Sequence, residues 1–195
     1  IDGTQIKDFT CEQNEGYTSF VCQIKLLPNQ ALVVEKMGGY CSSLQQPVDR
    51  LPGHVQNIAL EALDKGFDAL VEAQKSSWET VWKTADINIG GDAKAQQGIR
   101  FNIFHLNQTY TGNNPKLNIG PKGFTGEKYG GSTYWDTEAY CFPFYMATKN
   151  ESVAENLLQY RYNHLKKAIE NAEKLGFNSG AALYPMVTMN GEECH

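Results

Sequence analysis

The sequence predicts an α+β chain that begins with β-strands and continues as helices. Three observations support this fold class. Apolar and polar residues partly alternate from Tyr17 to Lys25, as they do in strands. An apolar stripe with helical spacing runs from Val55 to Trp82. From Asp92 onward, further helical patterns are joined by glycine-containing loops. We interpret this order as the end of an N-terminal β-sandwich, a helical linker and the first helices of a helical barrel.

The predicted sandwich strands occupy residues 1–50. One strand covers residues 17–25, and a β-branched run from Gln30 to Lys36 predicts a second. Pro47 and Pro52 then interrupt the pattern, since proline cannot donate to a β-ladder or continue a helix. A domain boundary is therefore expected near residue 50.

Residues 51–90 predict a helical linker that Gly66 can interrupt. Glycine is a poor helix former, so it marks a possible break within this helical pattern. Apolar side chains recur here mostly at three- and four-residue steps, namely Val55, Ile58, Leu63, Phe67, Leu70, Val71, Trp78, Val81 and Trp82.

Residues 91–195 predict the start of the helical barrel. Asp92 is placed to cap a helix over residues 93–110, and the apolar residues on several faces of that helix predict burial on several sides. Ser152 and Glu155 suggest a capping box for a second helix over residues 153–175, which Gly176 would end.

The segment between these helices, residues 111–132, predicts a long loop. It holds six glycines and two prolines without apolar periodicity. Irregular segments of about twenty residues in compact domains are usually functional or disordered. Its aromatic and charged residues, Phe124, Glu127, Lys128 and Tyr129, favour a functional loop.

Charge and hydropathy exclude two classes of partner. The net charge of -5, without a block of lysine and arginine, argues against nucleic-acid binding, which needs concentrated positive charge. The longest apolar run, Ala139 to Ala147, is shorter than the roughly 20 residues of a membrane span and contains Pro143. We expect neither a nucleic-acid partner nor a membrane span.

The five cysteines are an odd number, are widely spaced and form no CxxC pair. This pattern favours reduced thiols over a disulfide framework or a zinc site. We therefore expect a cytoplasmic protein without a bound metal. The chain starts at Ile1 without a leader and stops at His195 without a helix cap or polar tail, which favours a fragment of a longer protein.

The stretch WDTE, residues 135–138, combines an indole with two carboxylates. In one interpretation Trp135 is a core residue and Asp136 or Thr137 caps the next helix. In the other, the stretch binds a sugar, because a pyranose packs its C–H face on an aromatic ring and donates its hydroxyls to carboxylates. Spacing alone leaves both interpretations open.

Three longer stretches carry a resemblance to a known family. They are QGIRFNIFHLNQ (97–108), GPKGFTGEKYGGSTYWDTEAYCFPFY (120–145) and AALYPMVTMNGEECH (181–195). They resemble the inverting disaccharide phosphorylases of glycoside hydrolase family 65, and most of all the members that act on maltose. WETVWKTADINIGGD (78–92) more loosely resembles the family's linker into its barrel.

The resemblance implies an N-terminal β-sandwich, a helical linker, an (α/α)6 catalytic barrel and a C-terminal sheet. It implies that a disaccharide and inorganic phosphate, the co-substrate, give β-glucose 1-phosphate and glucose without a cofactor. It also implies that Trp135, Asp136 and Arg100 bind the substrate, that the general acid lies just beyond His195, and that the full-length protein is a homodimer. Glu192 and Glu193 are not assigned the acid's role.

Alternatives remain at this point. A phosphorylase of the same family could act on kojibiose, nigerose or trehalose. A non-catalytic carbohydrate-binding module could carry a similar exposed aromatic site. A hydrolase would need a second carboxylate roughly 6.5 to 9.5 Å from the acid to activate water.

Overall fold

A computed structural model describes residues 9–123 and 129–194 of the chain. It confirms a helix-rich α+β chain with small two-stranded sheets. The chain divides into two compact units, residues 1–73 and 74–195, which we describe separately. The predicted Phe124, Glu127 and Lys128 of the long loop lie outside the described residues, as does His195.

The first unit opens with a β-hairpin. Strands β1 (Thr10–Asn14) and β2 (Tyr17–Val21) pair antiparallel, with Thr10 opposite Val21 and Asn14 opposite Tyr17. Gly16 in the connecting turn has a φ of 75°, a conformation that glycine adopts without steric cost. Strand β2 therefore lies within the predicted strand 17–25 but is shorter, and β1 was not predicted.

The predicted strand over residues 30–36 is wrong. This run pairs with no described segment, and Val33 and Val34 are 79% and 76% exposed. β-branched residues favour an extended backbone, but a strand also needs a neighbour that accepts and donates its ladder hydrogen bonds. The sequence pattern reports only the first of these requirements.

Two helices fill the predicted linker. A short 3-10 turn (Val48–Arg50) leads into α1 (Leu51–Lys65), and α2 (Phe67–Ala85) follows. Gly66 separates the helices with a φ of 78°, which confirms the predicted interruption.

Helix α3 (Ala93–Thr109) begins where the sequence predicts. The Asp92 carboxylate accepts hydrogen bonds of 3.0 Å from the backbone amides of Lys94 and Ala95, which confirms the predicted cap. The expectation of burial on several faces is confirmed in part. Ile103 and Asn107 are buried, and Ile99, Phe104 and Leu106 are half-buried, but Phe101 is 59% exposed. Apolar residues on a helix need not all be covered.

The predicted helix over residues 153–175 is two helices. Helix α5 (Glu151–Tyr162) ends before His164, and α6 (Leu165–Lys174) follows. The predicted capping box is wrong, since Asn150 occupies the N-cap position and the Ser152 hydroxyl donates to the Asn150 side chain at 2.7 Å.

The predicted end of the helix at Gly176 is confirmed. Gly176 has a φ of 86°, its amide donates to the Glu173 carbonyl at 2.9 Å, and the Phe177 amide donates to the Ala172 carbonyl at 3.1 Å. These two bonds form a Schellman motif, which satisfies carbonyls that the helix leaves free.

The core of the second unit joins α3, α5 and α4 (Phe142–Thr148). The Tyr145 hydroxyl donates to the Leu106 carbonyl at 2.8 Å, and the Tyr110 ring packs edge-on against Tyr145 with centroids 5.2 Å apart. Burial raises the pKa of Tyr110 to about 12, so its phenol stays protonated and can donate. The buried cluster contains Tyr110, Ile119, Cys141, Tyr145, Val153 and Leu157.

All five cysteines, which lie in the described part of the chain, are free. This agrees with the prediction that they do not form a disulfide framework. Among the described residues, no helix is long and apolar enough to cross a membrane.

We expect Gly112→Ala to destabilise the protein by about 2 to 4 kcal/mol. Gly112 has a φ of 77°, and an added Cβ would lie 2.7 Å from Cγ2 and 2.8 Å from Cβ of Val153 at the start of α5. The matched control is Gly98→Ala in the interior of α3, where nothing lies within 4 Å of the new methyl group. That change should stabilise by about 1 kcal/mol because alanine is the better helix former. Thermal unfolding of the three proteins measures both effects, and equal midpoints would contradict the packing of residue 112 against α5.

Candidate functional site

The WDTE stretch directly follows a strand of a short sheet. Strand β3 (Thr133–Tyr134) pairs antiparallel with β4 (Val187–Thr188), placing Thr133 opposite Thr188. Trp135 follows β3 directly, and a π-helical turn (Thr137–Cys141) comes next and leads into α4. Two of the stretches that carry the family resemblance are therefore neighbours in space. π-helical turns occur frequently at functional sites.

Trp135 is held at one edge and open elsewhere. Its indole Nε1 donates to the Tyr184 carbonyl at 3.2 Å, while 49% of the residue is exposed. The interpretation of Trp135 as a core residue is therefore wrong. An indole fixed by its polar edge and left partly uncovered is suited to pack against a ligand.

Asp136 is exposed and occupies the N-cap position of the π-helical turn, but its side chain makes no capping hydrogen bond. Thr137 is fully buried, and its hydroxyl donates to the Ile119 carbonyl at 2.6 Å. The capping interpretation of these two residues is therefore wrong. The structure shows no hydrogen bond or ion pair between Asp136 and any other described side chain, so the carboxylate is free to accept from a ligand.

Beneath Trp135 and Asp136, threonine hydroxyls attach the chain to the preceding loop. The Thr133 hydroxyl donates to the Asn118 side-chain oxygen at 2.9 Å and lies 3.1 Å from the Thr137 hydroxyl. Both threonines are buried. Because buried polar groups with partners resist displacement, this network fixes the base of the turn.

Glu138 belongs to an ion pair with Arg161 of α5. Arg161 Nε donates to Glu138 Oε1 and Nη2 donates to Oε2, both at 2.9 Å, and Nη2 also donates to the Tyr134 carbonyl at 3.0 Å. This ion pair connects the turn to α5, so Glu138 supports the turn that carries Trp135 and Asp136.

Arg161 was not predicted, although a signal for it exists. It lies four residues after Leu157, which is fully buried, so it continues the apolar stripe of α5. An arginine at a core position is rarely buried unless it is paired with an acidic group. Reading that stripe would have pointed to a buried ion pair without naming its partner.

The segment after β4 is attached to α5 and α6. The Tyr160 hydroxyl donates to the Met189 carbonyl at 2.7 Å, and Lys167 donates to Glu192 at 3.2 Å. Hydrogen bonds from Lys167 and Asn190 lower the pKa of Glu192. The Glu193 carboxylate accepts from the Met186 amide at 2.9 Å. Both glutamates thus have structural contacts, and the expectation that neither is the general acid stays a prediction.

Arg100 lies on the exposed side of α3. Its Nε and Nη2 donate to the two Asp86 carboxylate oxygens at 2.8 and 2.6 Å. This pairing lowers the pKa of Asp86 and raises that of Arg100. The structure shows no contact between Arg100 and Trp135 or Asp136 among the described residues, so its role in substrate binding stays a prediction.

A cleft of about 420 Å³ lies beside α6, lined in part by Leu183 and Pro185. It contains neither Trp135 nor Asp136. Its charged lining is largely engaged, because Lys167 pairs with Glu192 across it and Glu193 binds the backbone of Met186. We therefore place the candidate site at the exposed turn. Among the described residues, no group of three or more histidine, cysteine, aspartate or glutamate side chains could hold a metal ion.

The segment that carries this turn has a family assignment. Residues 100–195 match the glycosyl hydrolase family 65 central catalytic domain. The chain belongs to glycosyl hydrolase family 65. This confirms the resemblance, which rested on three stretches that lie almost wholly within these residues.

Several relatives of the family 65 chain are named as disaccharide phosphorylases. It is 50% identical to a maltose phosphorylase of Bacillus subtilis over 147 residues, which are 75% of the chain and 19% of that protein. It is 44% identical to an alpha,alpha-trehalose phosphorylase of Thermoanaerobacter brockii over 141 residues, 70% of the chain and 18% of that protein. Phosphorylases of kojibiose and nigerose also match.

A solved structure shows the same fold. It is a protein from the human microbiome, provisionally assigned as a kojibiose phosphorylase, that superposes with a TM-score of 0.70 at 35% identity and covers 77% of the chain and 20% of that protein. The family 65 chain therefore spans about a fifth of the length of the relatives it matches.

We expect the turn after β4 to loosen as pH falls through about 6.5. His164 packs against Gly191, where an added Cβ would lie 2.8 Å from the His164 Cβ, and its ring stacks edge-on with Tyr160. Burial, followed by the positive charges of Lys167 and Arg161, lowers the pKa of His164 in the folded chain. A histidine with a lowered folded pKa contributes stability that is fully present above its unfolded pKa of about 6.5 and is lost as pH falls below it.

Hydrogen exchange at the Gly191 amide measures this effect. In wild type, protection should fall between pH 7.5 and 5.5 beyond the intrinsic pH dependence of exchange. In His164→Asn, which cannot take up the proton, the corrected protection should change less over that range. An equal change in both proteins would contradict the role of His164.

Proposed function

We propose that the full-length protein containing this chain is an inverting disaccharide phosphorylase, acting on an α-glucosyl disaccharide. We further propose that its substrate is maltose, which reacts with phosphate to give β-glucose 1-phosphate and glucose. The 50% identity to a maltose phosphorylase supports this choice over trehalose, kojibiose and nigerose, whose phosphorylases are 45% identical or less over the matched segments.

The architecture that we propose follows the same likeness. Residues 1–50 would contribute the last strands of a β-sandwich, residues 51–90 a helical linker, and residues 91–195 the first helices of an (α/α)6 catalytic barrel. Helices α3 to α6 lie in the part of the chain that largely matches the family's catalytic domain. The β1–β2 hairpin lies in the part assigned to the sandwich.

One observation carries the proposal: an open indole and a carboxylate without a described partner stand side by side on an anchored turn. Trp135 would pack against the C–H face of the glucose that becomes the phosphate ester, and Asp136 would accept hydrogen bonds from its hydroxyls. The anchoring matters because an unconstrained turn would lose binding energy in ordering itself around the sugar.

The reaction needs a carboxylic acid that protonates the glycosidic oxygen and a nucleophile on the opposite face of the sugar. Phosphate is already anionic, so no carboxylate base is required, and donors must hold the anion in line with the bond that breaks. We propose that the acid lies just past His195 and that most of the phosphate site lies outside this chain. The share of this chain is then to hold and orient the glucose.

Three further proposals accompany this function. Arg100 would exchange its Asp86 partner for a substrate group or orient one through Asp86. The protein would need no cofactor or metal ion. It would act in the cytoplasm as a homodimer, and the free cysteines support the reducing compartment.

The decisive experiment uses the full-length protein with phosphate and, separately, maltose, trehalose, kojibiose and nigerose. Proton NMR of the anomeric region follows the products. Phosphate-dependent formation of β-glucose 1-phosphate from maltose is the expected result. If only one of the other three disaccharides gave this product, that disaccharide would be the substrate instead of maltose. Glucose release without phosphate would indicate a hydrolase, and inertness toward all four would favour a carbohydrate-binding role.

A further inference from the structure

We propose that Arg161 is a positioning residue, which holds Trp135 and Asp136 in the orientation that binds the sugar. This inference rests on the proposed function of those two residues. Among the described residues, this side chain of α5 contacts the site through the backbone of Tyr134 and the carboxylate of Glu138.

The contacts of Arg161 bracket the site along the chain. Tyr134 immediately precedes Trp135, and Glu138 stands two residues after Asp136. The Arg161 guanidinium donates a hydrogen bond of 3.0 Å to the Tyr134 carbonyl and one of 2.9 Å to each carboxylate oxygen of Glu138. Because the same rigid guanidinium forms hydrogen bonds before and after Trp135 and Asp136, it limits how far the turn can rotate or open.

The burial of the pair indicates a role beyond stability. The Arg161 side chain is 11% exposed and that of Glu138 is 29% exposed. Taking a guanidinium out of water costs energy that its ion pair offsets only in part, and apolar residues at such positions often give equal or greater stability. Arg161 Nη1 is also buried without a described hydrogen-bond partner, which adds to the cost.

The remaining anchors fix a different part of the turn. Thr133 and Thr137 attach its base to Asn118 and Ile119 through short side-chain hydroxyl bonds. The apolar cluster around Tyr145 and Leu157 supplies packing. Two further anchors hold the start of this stretch, namely the pairing of Tyr134 with Val187 of β4 and the indole hydrogen bond to the Tyr184 carbonyl. Among the described contacts, those of Arg161 join the Tyr134 carbonyl to the Glu138 carboxylate. The orientation of the segment between these two groups should therefore depend in part on the arginine.

Loss of these Arg161 hydrogen bonds should displace Trp135 and Asp136 without unfolding the domain. Arg161→Lys keeps a positive charge but cannot reach three acceptors with one planar group. Glu138→Gln removes the charge and leaves the shape of the side chain. Because a displacement of about 1 Å at a positioned group can cost a hundredfold in rate, we expect kcat/KM for the disaccharide to fall by about 10- to 100-fold in each variant.

The control variant removes a charge from the next helix without touching the turn. Lys166→Gln breaks a surface pair with Glu170, in which the lysine side chain is 91% exposed. Exposed pairs of this kind contribute little to stability. We expect kcat/KM and the unfolding midpoint of this variant to match wild type.

The first measurement does not depend on activity. Full-length protein is labelled with 5-fluorotryptophan, and the fluorine signal of Trp135 is assigned from its loss in Trp135→Phe. In Arg161→Lys and Glu138→Gln this signal should shift or broaden, while the signals of Trp78 and Trp82 stay in place. An unchanged Trp135 signal in both variants would overturn the inference, whatever their activity.

The second measurement separates positioning from general support. If Arg161 acts through Asp136, then Arg161→Lys should cost less than about threefold in kcat/KM when Asp136→Asn is already present. If Arg161→Lys lowered kcat/KM by 10- to 100-fold even in the presence of Asp136→Asn, the inference would be overturned. It would also be overturned if Arg161→Lys or Glu138→Gln moved the Trp135 signal but kept wild-type kcat/KM. If wild type acts on no disaccharide but the Trp135 signal moves, the positioning stands and the proposed phosphorylase function fails.

Discussion

Asp136→Asn in the full-length protein should lower kcat/KM for the disaccharide by about a hundred- to a thousandfold. A hydrogen bond to a charged group contributes about 1.5 to 3 kcal/mol, and a carboxylate placed against a sugar can accept more than one. The amide keeps the shape of the side chain but loses the charge and replaces one acceptor oxygen with a donor. Two weakened hydrogen bonds account for the expected factor.

The same substitution should leave the unfolding midpoint unchanged. Asp136 is exposed and makes no described hydrogen bond or ion pair that folding could lose. Surface substitutions of this kind usually change stability by less than about 0.5 kcal/mol. The combination of a large kinetic effect and no stability effect is what distinguishes a ligand-binding carboxylate from a structural one.

Steady-state phosphorolysis and thermal unfolding measure the two effects. Glu155→Gln is the matched control, since Glu155 is an exposed carboxylate on α5, and it should behave as wild type in both. If Asp136→Asn retained wild-type kcat/KM, Asp136 would not bind the sugar. If it lowered the midpoint by several degrees, the carboxylate would have a structural partner instead.

The features that sequence predicted correctly depend on local backbone chemistry. The Asp92 cap, the interruption at Gly66 and the end at Gly176 each involve a few consecutive residues and one conformational requirement. An aspartate accepts from nearby amides wherever a helix starts, and glycine accommodates the positive φ at which helices break or end. Such rules act without tertiary contacts, so they can be read from a short stretch.

The predictions that failed depend on partners that are distant in sequence or on competing local contacts. The run over residues 30–36 has strand propensity but no described strand beside it. The predicted capping box gave way to a helix start one residue before Ser152, with Asn150 at the cap position. Propensity and motif matches cannot settle either outcome, because pairing and helix phase are decided by the whole fold.

The candidate site shows the same difference between features that depend on local chemistry and features that depend on distant contacts. Resemblance named Trp135 and Asp136, but only the structure shows that the indole is open and that the carboxylate lacks a described partner. Arg161 and Glu138 are 23 residues apart, and no pattern in the sequence joins them. Residues that touch the ligand can be found by their chemistry, whereas residues that hold them in place are found by their contacts.

Trp135→Ala should raise KM for the disaccharide by about 10- to 100-fold and change kcat much less. In its proposed role the ring would bury apolar sugar surface that is present in both the bound substrate and the transition state, so its contribution would be nearly uniform. The expected factor corresponds to about 1.4 to 2.8 kcal/mol, the range for covering an aromatic side chain. Asp136 should act differently, because hydrogen bonds to sugar hydroxyls can strengthen as charge develops on the ring.

A graded series tests this assignment. Trp135→Phe keeps an aromatic face but loses the indole hydrogen bond to the Tyr184 carbonyl, so its KM should lie between those of wild type and alanine. KM for phosphate should stay within about twofold in both variants, since the ring is proposed to touch only the sugar. If alanine lowered kcat as strongly as Asp136→Asn does, the ring would be orienting the carboxylate rather than holding the glucose. Equal KM values for phenylalanine and alanine would show instead that the anchored edge of the indole, and not its face, supplies the binding energy.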